Sequence, residues 1–191
     1  MVTFSHTPMR ILIATPLFPP DIEPSARYIK ELAARLKARH QVTILAFTRL
    51  PEAIPGVTIL SVDKKKPRLV RIFTFFIKAL VALQTNDIVY VQNGPSVELP
   101  IRLAMLIRSR PVVLGVSDQA EYQKSARANA ARRKPSFIQE ISAQTITDMP
   151  VPKPEIIPLD PKPVEELRRY ELSWQKHLTS LESALSHATS Y

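Results

Sequence analysis

At 191 residues the chain suits one domain of ordinary size, with enough length for a packed core but too little for two complete nucleotide-binding lobes. Hydrophobic residues make up 45% and charged residues 23%, which excludes a disordered or fibrous chain, and the absence of cysteine excludes disulfides, thiolate metal sites and a cysteine nucleophile. The formal net charge of +9 favours anionic partners and cannot by itself choose among nucleic acid, anionic lipid and a phosphorylated ligand.

Residues 1–8 read as an N-terminal extension without the basic-then-apolar layout of a secretion signal, and the fold begins at Met9. Residues 10–15 (RILIAT) form a continuous apolar run closed by Pro16, the pattern of a strand buried on both faces. Residues 16–25 contain four prolines and must be a loop, with Ser25 as the expected N-cap of the first helix. Over residues 26–39, Tyr28, Ile29, Leu32, Ala33 and Leu36 recur at helical spacing, while Lys30, Arg35 and Lys37 lie opposite. Residues 42–47 (VTILAF) and 57–62 (VTILSV) are β-branched runs bracketed by Pro51, Pro55 and Gly56, and predict two further strands. Residues 87–92 (DIVYVQ) and 111–116 (PVVLGV) complete a set of five strands, with helices over 69–84 and 97–108 between them.

Strands alternating with crossover helices imply an α/β fold, a Rossmann-like doubly wound parallel sheet over residues 9–142. Ligands bind such sheets at the carboxyl ends of the strands, so the functional loops are expected at 16–25, 93–96 and 117–122. Residues 124–134 are rich in Ala and Arg and predict a helix, and residues 149–163 hold six prolines. A Pro-rich linker is therefore assigned to 143–163. From 164 to 191, Leu167, Tyr170, Trp174, Leu178, Leu181, Leu185 and Ala188 advance by threes and fours, predicting a long amphipathic helix that packs on the domain.

The longest apolar run, 72–83, is broken by Lys78 and falls well short of the roughly 20 residues a spanning helix needs. A cytoplasmic protein is expected, with peripheral docking at the inner membrane face as its one membrane option. His6, His40, His177 and His187 lack metal-ligand spacing, so no metal is expected, and no cofactor is assigned.

The stretch MRILIATPLFPPDIEPSARYIKELAARLKARHQVTIL resembles the opening of family 4 glycosyltransferases: a strand, a PPxxGG-like loop and a helix rich in Tyr, Glu and Leu. DIVYVQNGPSVELP and RPVVLGVSD resemble that family's fourth and fifth strands with their loops, so the likeness covers about residues 9–123. YELSWQKHLTSLESAL is similar to the family's last helix, which crosses back onto the first domain. The resemblance implies the acceptor-side half of a GT-B enzyme whose donor-binding domain is missing, the Pro-rich linker standing in its place. It implies a protein inactive alone, with a donor-domain protein subunit as partner and a sugar or lipid-linked acceptor, or else a non-catalytic relative.

Family members hold the donor diphosphate at a glycine pair in the first loop, where backbone N–H groups can approach phosphate. Glu23 and Pro24 occupy that place here; the carboxylate repels phosphate and the proline removes a donor. Ser25 and Arg27 could still meet an anion at the helix start, or be a plain cap and a solvated arginine. The family's acidic pair belongs to the donor domain, and the like spacing of Glu23 and Glu31 is read as coincidence. Ser117 and Asp118 follow the fifth strand near where the acceptor is expected; Asp118 could orient or deprotonate a sugar hydroxyl, or the pair could simply cap a helix before Glu121. Asn93 and Gly94 form the other strand-end loop, as substrate contacts or a plain turn.

The basic residues Lys64, Lys65, Lys66, Arg68 and Arg71 precede the apolar residues Ile72, Phe73, Phe76, Ile77 and Leu80. This segment could dock on an anionic membrane surface or be a core-packed helix behind a solvated basic loop. No nucleic-acid partner is expected, because the cations are scattered among helices and no such motif occurs. The alternative function is thus a binding or scaffold module that docks on a membrane or a protein through its basic face. A complete small enzyme built around Asp118 ranks last.

Overall fold

The apolar run after Met9 forms β1 (Arg10–Thr15), and its residues Ile11, Leu12, Ile13 and Ala14 are wholly buried. The computed structural model describes residues 7–92, 95–116, 136–139 and 161–190. In chain order β1 is followed by α1 (Pro24–Leu36), β2 (Gln41–Phe47), β3 (Val57–Val62), α2 (Arg68–Thr85), β4 (Ile88–Gln92), α3 (Pro95–Ile107), β5 (Val112–Val116), β6 (Ser136–Gln139) and α4 (Pro161–Thr189).

All six strands are parallel and lie in the order β3-β2-β1-β4-β5-β6, which is the doubly wound, Rossmann-like arrangement. β1 is central, with Ile13 level with Ile44 on one side and Tyr90 on the other. Because side chains alternate along a strand, β1 feeds two cores. Ile11 and Ile13 join Ile44, Tyr90 and Val113 under α1 and α4, whereas Leu12 and Ala14 join Leu45, Val89 and Leu114 under α2 and α3.

Three sequence expectations need correction. The sheet has a sixth strand, β6, which pairs along β5 at Leu114–Phe137 and Gly115–Ile138; four residues beginning at a serine are too short a signal beside Pro135. The last helix begins at Pro161 rather than 164, because prolines are tolerated in a first turn whose N–H groups have no intrahelical partner. The buried face of α2 is Phe75, Ala79, Ala82 and Leu83, while Phe73 and Ile77 point to solvent. The expected helix over 124–134 lies outside the described residues.

α4 returns to α1. Trp174 is fully buried and stacks on Tyr28 at 5.7 Å between ring centres, with Tyr170 and His177 edge-on at 6.3 and 5.8 Å. Arg35 of α1 grips Glu171 with two hydrogen bonds of 2.8 and 2.7 Å and lies 5.1 Å from the Trp174 ring centre. A planar guanidinium can do both at once, as a lysine could not.

Candidate functional site

β1 leads into α1 on one face of the sheet and β4 leads into α3 on the other. The chain therefore leaves these adjacent strands in opposite directions, opening a crevice at their carboxyl ends, where ligands of doubly wound folds bind.

Two buried polar side chains form its floor. The hydroxyl oxygen of Thr15, the last residue of β1, lies 2.6 Å from Gln92 Oε1 and 2.7 Å from Leu17 O, its single proton serving one of them at a time, and accepts from the Leu17 N–H at 3.2 Å. Gln92, the last residue of β4, extends Nε2 toward the Ser25 carbonyl at 3.5 Å. Both are almost completely buried, so this network joins β1, β4 and the first turn of α1 in a low-dielectric setting. Thr15→Val is expected to lower stability by about 1–3 kcal/mol in urea denaturation, since the isosteric valine leaves the Gln92 carbonyl and the Leu17 N–H without the hydroxyl.

The loop after β1 is held from several directions. Phe18 is buried, and its N–H donates to Asp21 Oδ2 at 3.1 Å. Asp21 also pairs with Lys64, and the Pro19 carbonyl accepts from the Glu52 N–H at 3.2 Å. Lys64, from the basic run, is thus committed to fixing this loop. Arg71 lies 5.3 Å from the Phe47 ring centre and donates to the Lys64 carbonyl at 3.3 Å.

At the start of α1 the expected cap is displaced. Proline's fixed φ suits the first helical position, so the helix begins at Pro24 and Glu23, not Ser25, takes the N-cap place without a side-chain cap bond. The Glu23 carbonyl accepts from the Ala26 and Arg27 N–H groups at 3.0 and 3.3 Å. Ser25 sits within the first turn and enters the crevice network through its carbonyl, while the Arg27 side chain is exposed. Glu31 bonds Arg35 at 2.7 Å and so belongs to the attachment of α4. Asn93, Gly94, Ser117 and Asp118 lie outside the described residues.

Sequence reasoning missed Thr15 and Gln92 as site residues. A signal existed, since each is an uncharged polar residue that ends the buried run of its strand at the carboxyl end. Among the described residues no group of three or more His, Asp or Glu side chains is placed to hold a metal ion. Nor is any helix among them long and apolar enough to cross a membrane.

No family model matches the chain, and no curated protein matches it in sequence. Among solved structures it is similar to a candidate UDP-N-acetylglucosamine 2-epimerase from Listeria monocytogenes, at 14% identity and a TM-score of 0.41. The likeness covers 57% of this chain and 31% of that one, so this chain spans about a third of its length.

Proposed function

We propose that this chain is the acceptor-side half of a GT-B glycosyltransferase of the family 4 kind, acting with a donor-binding domain supplied by another polypeptide. The observation that carries this reading is the return of α4 onto α1. The Trp174 helix, whose sequence resembles the last helix of those enzymes, stacks on Tyr28 of the first helix. Only residues 140–160 separate β6 from α4, too short a stretch to hold a second Rossmann half. The start of α1 supports the same division of labour. Where a donor phosphate would need free N–H groups, Glu23 offers an exposed carboxylate and Pro24 has no N–H to give. The strand ends that Thr15 and Gln92 fasten together would then be where the acceptor enters, the two buried side chains fixing the position of the surrounding loops and not contacting it.

The expected result is that the purified chain neither transfers nor hydrolyses sugar from UDP- or GDP-sugars, and that calorimetry shows no binding of those donors. Transfer should appear when a separate protein with a donor-type domain and the family's paired glutamates is added. Turnover of a nucleotide-sugar by the chain alone would sink the proposal.

A further inference from the structure

The outer side of a surface helix is ordinarily polar. On α2 it is not: Leu69, Phe73, Ile77 and Val81 follow one another at four-residue steps and are 81%, 64%, 42% and 57% exposed. They form a stripe turned away from the buried residues of that helix. α3 packs beside α2 on the same sheet face and turns Leu99, Leu103, Leu106 and Ile107 outward in the same way. At about 180 Å² for a fully exposed side chain of this size, the eight leave roughly 800 Å² of apolar surface open, above the ~300–600 Å² of the largest patch on an ordinary monomer.

The size and the charge of this crest select its occupant. One side of a standard protein–protein interface buries about 800 Å², which is what the crest offers. Between the ends of the two helices the charged residues are Arg71, Lys78, Glu98 and Arg102, and each is engaged within the chain. Arg71 donates to the Lys64 carbonyl at 3.3 Å, Lys78 to the Ser61 carbonyl at 2.6 Å, and Glu98 pairs with Arg102 at 3.1 Å. A partner therefore needs to bring no counter-charge. The exposed cations Lys65, Lys66 and Arg68 stand at the start of α2 and Arg108 follows the end of α3, so they fall at the two ends of the crest, where an interface keeps its wet, polar rim. An apolar crest without a free charge in it is complementary to itself, as a two-fold contact between identical patches requires.

We infer that two copies of the chain pair through the outer faces of α2 and α3, burying Phe73, Ile77 and Leu103 and leaving Lys65, Lys66 and Arg108 at the rim. The pairing is independent of the sugar-transfer proposal, because α1 and α4 lie on the other face of the sheet and the test needs no donor. Sedimentation equilibrium of the full chain at micromolar concentrations is expected to give twice the 21.6 kDa mass of one copy. Raising the salt concentration should tighten the pair, since salt screens the rim cations from one another and leaves the apolar contact intact. Phe73→Asp and Leu103→Asp, at exposed positions and checked for folding by circular dichroism, each act on both copies and should weaken pairing about a hundredfold or more. Lys65→Ala and Lys66→Ala should not weaken it. A monomer throughout the micromolar range, or a dimer that both aspartate variants leave intact, would overturn the inference. So would a monomer that floats with phosphatidylglycerol vesicles until salt or Phe73→Asp releases it, since that would give the face to an anionic bilayer.

Discussion

Trp174→Ala is expected to lower the unfolding free energy by about 3–5 kcal/mol, the range for removing a large buried aromatic side chain. The residue is fully buried and touches rings from both helices it joins: Tyr28 of α1, and Tyr170 and His177 of α4. Truncation leaves a cavity between two rigid helices that cannot close over it, because Arg35 and Glu171 fix their spacing. It also strips the Arg35 guanidinium of the ring beneath it. Urea unfolding followed by circular dichroism measures the loss. Trp174 is the chain's sole tryptophan, so fluorescence of the unmutated protein reports on this joint alone. A blue-shifted emission that moves red at a lower urea concentration than the circular dichroism signal would show α4 detaching before the sheet melts. A stability loss under about 1 kcal/mol would mean that the helix is not seated as described.

The sheet was legible because its strands are continuous β-branched runs with hard stops. The strands at Arg10–Thr15 and Val57–Val62 match the expected limits because Pro16 closes one and Gly56 precedes the other. α1 was legible through its alternating faces, but its first residue was not. Proline at the first helical position outweighed the capping preference of Ser25. α2 fails differently: a helix apolar on nearly every side gives periodicity no contrast, so its spacing could not say whether Phe73 or Phe75 faces the sheet. The crevice floor escaped notice because a threonine and a glutamine have no spacing motif. They become a pair only when β1 and β4 lie side by side, 77 positions apart in the chain. The same holds for Lys64, which reads as one of a basic run until Asp21 claims it.

Acidification should weaken the protein through His177. Its ring is 8% exposed, faces Tyr28 and Trp174, and shares a 2.8 Å hydrogen bond with the Tyr28 hydroxyl, which is in turn 3.1 Å from that of Tyr90. Loss of hydration on burial pushes its pKa down from 6.5 to about 4. The native state therefore keeps the imidazole neutral where the unfolded chain already binds a proton. Above about pH 6.5 neither state is protonated and nothing is lost; stability then falls as pH drops from about 6.5 toward 4, and this contribution levels off below. The full loss is on the order of 3 kcal/mol. Carboxylates act in a lower window: Arg35 holds Glu171 below its usual value and Arg10 does the same for Asp87, so their contributions persist until pH falls beneath the ordinary carboxylate range. Urea midpoints measured from pH 7 to 4.5 should thus decline in the unmutated protein and change far less in His177→Gln. Equal declines in both would place the titrating group elsewhere and remove His177 from the contacts that make α4 sensitive to acid.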